Sequence, residues 1–365
     1  MNEPIIIVGA GISGLRAASL LEMKGIECVV LEARDRIGGR VLSSAVEGRP
    51  ELGQYDLGPT WFWPEREPVI ANLVEALQLQ TLEQYTAGAF LFEQSETMPP
   101  ERHFLPKGAV EKSMRIVGGM RSLVEAIAAT LAPGTVRLST RVKKICKEED
   151  KSLTLSVELA DGRHEEMRAR AVILAVPPRI IAHHITFSPE LPKELQMSLL
   201  KQTTWMAWQA KAITIYKTPF WRSDGLSGHG ISKAGPLEEI HDASNETGSG
   251  ALFGFFRMDP KTRQMLGKEK VIELVVDQLT HMYGPAAGKP VAVLYKDWSN
   301  DHDTAILDDA KRLKDFPAYG LPACSGTWGI NLHFTGTETS SNQGGHLEGA
   351  LLAASRVVNE VLRLF

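Results

Sequence analysis

The sequence predicts an α/β fold made of a parallel-sheet domain and a second domain of mixed α+β type. Apolar runs occur at 4–8 and again at 171–176, and such runs are typical of strands that are buried on both faces of a parallel sheet. From about 183 to 324 the pattern changes to longer alternating strands, such as 209–216, and amphipathic helices, such as 270–282. With 365 residues, of which 43% are hydrophobic, the chain is long enough to build two cores.

The first apolar strand leads directly into a glycine-rich loop and a helix. Residues 9–14 read Gly-Ala-Gly-Ile-Ser-Gly, which is the GxGxxG pattern, and 15–24 carry apolar side chains at helical spacing before Gly25. A second apolar strand at 28–31 then ends in Glu32. This order of strand, loop, helix, strand and acid predicts a Rossmann-like dinucleotide-binding unit.

Each part of this unit has a physical role in holding a dinucleotide. Glycines let the backbone approach a pyrophosphate, the start of the helix offers unpaired N–H groups, and the carboxylate accepts hydrogen bonds from ribose hydroxyls. The pattern does not distinguish one dinucleotide from another, and a GxGxxG turn alone also occurs for purely structural reasons. The residues predicted to bind the dinucleotide are Gly9, Gly11, Ser13, Gly14 and Glu32.

The segment that begins at Glu32 narrows the choice of cofactor. Residues 32–40 read Glu-Ala-Arg-Asp-Arg-Ile-Gly-Gly-Arg, and glycines with guanidinium groups can wrap a second stretch of chain around a diphosphate. This segment resembles the signature that follows the first dinucleotide fold in the flavin-containing, monoamine oxidase-like amine oxidase family. The resemblance implies an FAD-binding domain of the glutathione-reductase/amine-oxidase type, with Arg34, Gly39 and Arg40 at the cofactor. A solvated charge cluster is the alternative interpretation of Arg34 and Arg36.

Later segments resemble the same family in the same order. They are the aromatic stretch 55–63, a Gly-Gly-Met at 118–120, the Asp-Trp-Ser region at 296–301 and the C-terminal stretch 332–350. In the family the Gly58-Pro59 neighbourhood lies against the flavin ring, and Val142 stands where relatives contact the adenine. An ordinary aromatic core cluster is the alternative interpretation of Phe62 and Trp63. The resemblance implies a further set of cofactor-binding residues: Gly58, Pro59, Thr60, Trp61, Val142, Trp298, Gly336, Glu338 and Leu347.

In the family the Gly-Gly-Met segment re-enters the cofactor domain, and the chain leaves for the substrate domain after an apolar strand such as 171–176. The resemblance therefore implies a discontinuous FAD-binding domain at 1–75, 112–182 and 325–365. The substrate-binding domain is predicted at 76–111 and 183–324.

The chemistry implied by the resemblance is amine oxidation by net hydride transfer to flavin N5, followed by reoxidation by dioxygen to give hydrogen peroxide. A flavin brings its own redox chemistry, so few catalytic side chains are needed. The family's recurrent lysine, which holds a water near N5, matches Lys211, ten residues before Trp221. A lysine between Ala210 and Ala212 in an apolar strand is costly to bury without partners, although a place on the solvent face of an alternating strand is the alternative interpretation.

Two features depart from the family at the substrate. His346 stands where monoamine oxidases have one of two tyrosines that flank the amine, and no tyrosine lies between Asp297 and Phe316 for the other. We predict that His346 contacts the substrate, either by polar recognition or by filling space. Covalent members of the family carry a cysteine downstream of Asp-Trp-Ser that bonds to the flavin. Because 301–314 contain no cysteine, the resemblance implies noncovalent FAD. The chain is short for the family, which implies a trimmed substrate site. The candidates for its walls are Trp61, Trp205, Trp208, Phe253, Phe255 and Trp328, and a place in the core is the alternative interpretation of each.

Composition limits the partners and the compartment. A net charge of -4 gives no reason to propose nucleic acid or an anionic membrane, and no apolar stretch reaches the roughly 18 to 20 residues that span a bilayer. We expect a small-molecule substrate, an amine in the leading hypothesis, with dioxygen as a candidate acceptor. Cys28, Cys146 and Cys324 fit neither a disulfide framework nor a metal site, so we expect no metal and a cytoplasmic setting. The oligomeric state is not predicted.

Three other functions remain open at this stage. An FAD-dependent desaturase or dehydrogenase of the same superfamily, acting on a non-amine substrate, would bind the cofactor identically. A nicotinamide-dependent dehydrogenase would share the dinucleotide unit but not the later segments. A noncatalytic flavin-binding protein would hold the cofactor without being reduced by any substrate.

Overall fold

The computed structural model describes residues 3–106, 108–322 and 328–364, so Cys324 and the predicted domain boundary at 325 lie outside the described residues. In chain order the strands are β1 Ile5–Val8, β2 Cys28–Leu31, β3 Ser43–Ala45, β4 Gln54–Asp56, β5 Thr81–Glu83, β6 Ala89–Glu93, β7 Glu101–His103, β8 Met114–Ile116, β9 Val136–Arg137, β10 Thr140–Lys147, β11 Leu153–Leu159, β12 His164–Ala169, β13 Ala171–Leu174, β14 Thr186–Ser188, β15 Ala210–Tyr216, β16 Leu226–Ser232, β17 Leu237–Asp242, β18 Gly250–Phe256, β19 Ala292–Asp297 and β20 Leu332–Phe334. The helices are α1 Ile12–Glu22, α2 Pro68–Ala76, α3 Arg121–Ala128, α4 Pro178–His184, α5 Lys193–Lys201, α6 Phe220–Ser223, α7 Pro260–Tyr283 and α8 Leu347–Val361.

The first sheet is parallel and brings distant parts of the chain together. Its strand order is β20-β13-β1-β2-β9, and each strand runs parallel to its neighbours. β1 and β13 are buried along their whole length, which explains why their apolar runs show no alternation. Ile5 and Ile7 pack with α1, α3 and α8 on one face of the sheet, and Ile6 and Val8 pack with β10 and β11 on the other. The predicted Rossmann-like α/β fold is confirmed.

A four-stranded sheet covers the second face of the parallel sheet. Its order is β12-β11-β10-β14. The sequence pattern predicts Val136 to Ile145 as a strand and its continuation, but the structure divides this stretch between two sheets. Ser139, at a φ of 50°, makes the break, and the backbone N–H groups of Ser139 and Thr140 donate to the carbonyls of Arg34 and Glu32. The turn therefore ends β9 beside the loop that follows β2.

A seven-stranded mixed sheet, in the order β19-β15-β18-β17-β16-β6-β7, forms the second large layer. α7 packs on one face of this sheet, and Leu52, Tyr55 and Leu57 pack on the other. α7 begins ten residues before the predicted helix at 270–282 and is interrupted at Gly267, which has a φ of 77°. The stretch 93–107, which the sequence favours as a loop, contains the edge strand β7.

Within 3–106, 108–322 and 328–364, no helix is both long enough and apolar enough to cross a bilayer.

Candidate active site

One cavity is lined by residues from both large sheets. Its volume is about 350 Å³, which lies within the usual range for small-molecule sites. The loops after β1, β2 and β13 line it together with Lys211 of β15 and Phe255 of β18. The lining includes most of the site residues that the sequence predicts, namely Gly9, Gly11, Ser13, Glu32, Arg34, Gly39, Arg40, Gly58, Pro59, Thr60, Trp61, Val142, Lys211, Trp298, Gly336, His346 and Leu347.

The two remaining predicted residues, Gly14 and Glu338, lie behind the lining. A side chain at Gly14 would place its Cβ 2.0 Å from the carbonyl oxygen of Gly9, so this glycine lets α1 pack closely against the end of β1. A Cβ at Gly11 would meet no protein atom within 4 Å. Gly11 therefore leaves space for a ligand, whereas Gly14 is required by the protein itself.

Glu32 is a buried carboxylate at the end of β2. Its Oε2 accepts a hydrogen bond from the backbone N–H of Ala10 at 2.7 Å, and its Oε1 accepts one from the N–H of Arg34 at 3.0 Å. A carboxylate has about four acceptor positions, so both oxygens can still accept from a ligand. The side chain thus braces the glycine loop and faces the cavity at the same time.

The two predicted arginines are held by acids from the other end of the chain. Arg34 forms an ion pair with Asp301 at 2.5 Å and lies 3.5 Å from Asp303. Arg40 donates two hydrogen bonds to Glu338, at 2.5 Å and 3.0 Å, and this bidentate geometry fixes the guanidinium plane. The cations predicted at the cofactor are therefore oriented by carboxylates before any ligand binds.

The C-terminal segment closes the cavity from the side of α8. The hydroxyl of Ser13 contacts the hydroxyl of Thr335 at 2.7 Å and donates to the carbonyl of Ala350 at 2.9 Å, which ties α1 to α8. α8 begins at Leu347, and α1 begins at Ile12. The N-terminal residues of both helices line the cavity, and helix N-termini attract anionic and electron-rich groups.

Lys211 is buried, with 2% of its surface exposed, which excludes the alternative that it lies on a solvent face. Its Nζ donates to the carbonyl of Gly58 at 3.0 Å and to the hydroxyl of Thr60 at 2.5 Å, and lies 3.9 Å from the centre of the Phe253 ring. Burial lowers the pKa of Lys211 to about 7, although Asp56 opposes this shift. A lysine with such a pKa in a cavity is characteristic of functional sites.

His346 has a partner that the sequence pattern did not reveal. Its Nδ1 lies 2.8 Å from Oε1 of Glu67, a carboxylate with 1% of its surface exposed, and both side chains line the cavity. Oε2 of Glu67 accepts from the backbone N–H of Trp63 at 2.9 Å, and the Trp63 and His346 rings are 6.1 Å apart. Glu67 precedes Pro68 at the start of α2, so its local sequence indicates only the beginning of a helix.

Half of the predicted aromatic wall residues reach the cavity. Trp61, Trp205 and Phe255 line it. Trp208 and Phe253 are buried behind the lining, and Trp328 packs edge-on against Phe187 in the core between the two sheets of the cofactor side. These three fill the core, which is the alternative that the sequence leaves open for each of them, because a large aromatic ring fills a core as readily as it lines a cavity.

These features together define a class of protein. A parallel dinucleotide-binding sheet, a cavity beyond its carboxyl edge and a buried lysine that faces this cavity are the parts of a two-domain nucleotide-cofactor oxidoreductase. More particularly, the chain belongs to the flavin containing amine oxidoreductase family, whose model matches residues 83–362. The model of an NAD(P)-binding Rossmann-like domain matches residues 7–77.

Individual relatives agree with this family. The chain is 26% identical to a putrescine oxidase of Kocuria rosea, over 83% of this chain and 84% of that protein. It is 24% identical to flavin-containing amine oxidase B of Sus scrofa, over 98% and 86%. Its fold matches that of putrescine oxidase bound to putrescine, with a TM-score of 0.79, 22% identity and coverage of 100% and 99%. It also matches cyclohexylamine oxidase from Brevibacterium oxydans IH-35A, with a TM-score of 0.78, 19% identity and coverage of 100% and 99%.

The family assignment confirms three predictions from the sequence: a flavoprotein oxidoreductase, FAD as the cofactor, and amine oxidase-like chemistry. The role of each site residue, the noncovalent attachment of FAD and the division into domains stay predictions.

Proposed function

We propose that this protein holds FAD noncovalently in the cavity and oxidises the C–N bond of a small amine, with dioxygen as the acceptor. The observation that carries this proposal is the buried Lys211 amine, which faces the same cavity as the glycine loop and the Glu67–His346 pair. FAD bound in this cavity supplies the redox chemistry by accepting hydride from the substrate.

The cavity fits an extended dinucleotide in several independent ways. The open space at Gly11 admits a pyrophosphate, and Glu32 retains capacity to accept hydrogen bonds from a ribose. The N-termini of α1 and α8 favour the phosphates and the electron-rich edge of a flavin. Arg34, Arg40 and Val142 line the same space. These residues are proposed to hold the cofactor without a covalent bond.

Lys211 is proposed to hold a water and to exchange a proton close to the reacting centre. Its Nζ is fixed by Gly58 and Thr60, which belong to the segment proposed to lie against the flavin. Because its pKa is lowered to about 7, the amine can give or take a proton at neutral pH.

The Glu67–His346 pair is proposed to recognise the substrate amine. A carboxylate and nearby aromatic rings both attract a cation, and Glu67, Trp63 and Trp205 line the cavity with His346. The hydrogen bond to the carboxylate of Glu67 fixes the orientation of the imidazole, so polar recognition accounts for His346 better than space filling does. Small aliphatic and cyclic amines, the class named for the relatives above, fit a site of this polarity.

The structure of the described residues also bears on compartment and domains. Cys28 and Cys146 are free thiols, which supports a reducing, cytoplasmic location. The strands of the parallel sheet all fall in the predicted FAD-binding ranges, and those of the seven-stranded sheet fall in 76–111 and 183–324. This distribution supports the proposed division into two domains.

The proposal is tested by the visible spectrum of the purified protein and its response to amines. We expect a flavin spectrum, release of intact FAD on denaturation, and anaerobic bleaching by at least one member of a panel of putrescine, cyclohexylamine and benzylamine. Admission of air should restore the colour and produce hydrogen peroxide. A yellow protein that no amine bleaches, but that an alkene or alcohol donor does, would instead favour the desaturase or dehydrogenase.

The role of Lys211 is tested separately by Lys211→Met. We expect amine turnover to slow by about 100-fold while the FAD content stays at the wild-type level. Lys217→Met, at an exposed position beyond the end of the same strand, is the matched control and should leave turnover unchanged. If both variants oxidise the amine at the same rate, Lys211 has no role in the mechanism.

A further inference from the structure

Two histidines and a glutamate meet on the face of the seven-stranded sheet that is opposite α7. His229 lies on β16, and Glu239 and His241 lie on β17. The register pairs Gly230 with Ile240 and Ile231 with Glu239, so it continues to place His229 opposite His241. Side chains two residues apart on a strand share a face, and Glu239 therefore joins the two imidazoles on the same side of the sheet.

The three side chains are already close enough to share one ion. The imidazole rings of His229 and His241 are 4.9 Å apart and nearly parallel, at 9°, and Nε2 of His241 lies 2.7 Å from Oε1 of Glu239. One ligand atom from each of the three residues lies within 4.8 Å of the others. Bonds of about 2.0 to 2.1 Å in a tetrahedral site place ligand atoms about 3.3 Å apart, which small side-chain rotations can achieve.

We propose that His229, Glu239 and His241 form a binding site for one divalent transition-metal ion of the zinc class. Two imidazoles and one carboxylate are a ligand set that zinc uses in proteins, and this set leaves a fourth position for water. The imidazoles disfavour magnesium and calcium, which prefer oxygen ligands. A neutral imidazole binds zinc through its unprotonated ring nitrogen and keeps its proton on the other nitrogen, so each histidine can serve as a ligand without losing a proton.

The ligands are available without a change in the backbone. Glu239 is about half exposed, so an ion can enter from solvent.

The side chain of Trp61 lies between the proposed metal site and the cavity. The ring of His241 packs edge-on against Trp61, with 4.8 Å between the ring centres, and Trp61 lines the cavity and donates to Gln84 at 2.7 Å. An ion bound at His241 would hold this ring in place against the cavity wall.

The chain contains its own control for this site. Glu101 and His103 on β7 have the same spacing and a similar hydrogen bond, 3.0 Å long. The residue opposite His103 in the sheet is Phe90, not a histidine. If a Glu-x-His pair is enough to bind zinc, the ion should bind at both His103 and His241. If the third ligand is needed, the ion should bind only at His241.

The test is zinc binding by the flavin-loaded protein after chelator treatment, measured by equilibrium dialysis and elemental analysis. We expect one zinc ion per chain, and each of His229→Gln, Glu239→Gln and His241→Gln should weaken its binding by at least about 100-fold. His103→Gln should bind zinc as the wild type does. The variants should keep their flavin and their metal-free Tm, which shows that they are folded.

Cobalt provides a second, spectroscopic measurement. Co²⁺ in a site of tetrahedral type should give absorption at longer wavelengths than the oxidised flavin band in the wild type and in His103→Gln, but not in His229→Gln. The proposal is overturned if the wild type binds zinc no more tightly than His241→Gln, or if His103→Gln loses as much affinity as His229→Gln. Neither measurement uses amine turnover, so failure of this proposal is distinguishable from failure of the proposed function.

Discussion

The cofactor side and the reaction side of the cavity are built from the chain in different ways. On the cofactor side, Glu32 accepts a hydrogen bond from Ala10 of the glycine loop 9–14, and these two residues are 22 positions apart in the sequence. On the reaction side, Lys211 reaches Gly58 across 153 residues, and His346 reaches Glu67 across 279. The glycine loop is held by backbone geometry at fixed local spacing. The reaction side, like Arg34 and Arg40 on the cofactor side, is held by side chains that only the complete fold brings together.

The glycine loop offers the largest test of this difference. Gly14→Ala places a Cβ 2.0 Å from the carbonyl oxygen of Gly9, and neither backbone can yield easily. We expect a loss of about 3 kcal/mol in the free energy of unfolding, together with loss of bound FAD, as measured by denaturant unfolding and flavin content.

Gly11→Ala is the matched control for Gly14→Ala. Gly11 has a φ of -70°, which alanine adopts without strain, and its Cβ would meet no protein atom. The unfolding free energy of the cofactor-free protein should stay unchanged, while FAD affinity falls by about 10-fold because the methyl group enters the cavity. Equal stability losses for both variants would mean that the loop is not divided into a structural glycine and a ligand-facing one.

The same difference decides what the sequence could predict. The glycines, Glu32 and the buried strands β1 and β13 were predictable because backbone approach and two-sided burial each require particular residue types in a fixed order. Glu67 was not predictable as a site residue, because an acid before Pro68 has the pattern of any helix start. Nor does the sequence define the register of β16 on β17, and without that register His229 has no visible connection to His241.

The resemblance to a family predicted some of the residues that local sequence patterns could not, but it did not predict their contacts. The positions of Lys211 and His346 could be predicted from the motifs that surround them. Their hydrogen bonds to Thr60 and Glu67 could not be predicted from those motifs. The break at Ser139 was also missed, because a strand that changes sheets keeps its alternating pattern on both sides of the turn.

The lowered pKa of Lys211 should make the free energy of unfolding depend on pH. Burial lowers its pKa to about 7, so above pH 7 the folded protein has released a proton that the unfolded chain holds up to about pH 10.4. The unfolded state then binds more protons, and stability must rise with pH in this window. Relative to Lys211→Met, the wild type should gain about 1.4 kcal/mol per pH unit between pH 7.5 and 9.5.

Urea unfolding of both proteins at matched flavin content measures this difference. Subtracting the variant removes the contributions of all other titrating groups that the two proteins share. Parallel stability curves across the window would show that Lys211 keeps an ordinary pKa and that its burial has been compensated.

Glu67→Gln examines the reaction side without disturbing the cofactor side. The change keeps the volume of the side chain but removes the charge that faces His346. We expect KM for the amine to rise by about 10-fold, since a hydrogen bond to a charged group contributes about 1.5 kcal/mol, while FAD content stays constant. Glu75→Gln, at an exposed position on α2, is the control and should leave KM unchanged. A fall in FAD content would mean that the two sides are not separable at Glu67.

Glu348 is the residue that joins the two sides, and its effect should be the smallest. It lies in the first turn of α8, and its carboxylate accepts hydrogen bonds from the N–H groups of Val69 and Ile70 at 3.0 Å and 2.8 Å. It therefore caps the start of α2, immediately after Glu67. Glu348→Gln keeps the size of the side chain but removes the charge at the helix N-terminus, and should lower the free energy of unfolding by about 1 kcal/mol. KM for the amine should rise with it, because α2 positions Glu67, whereas FAD affinity should not change. If KM stayed constant while stability fell, the cap would stabilise α2 without transmitting anything to the substrate site, and the reaction side would be independent of the first turn of α8.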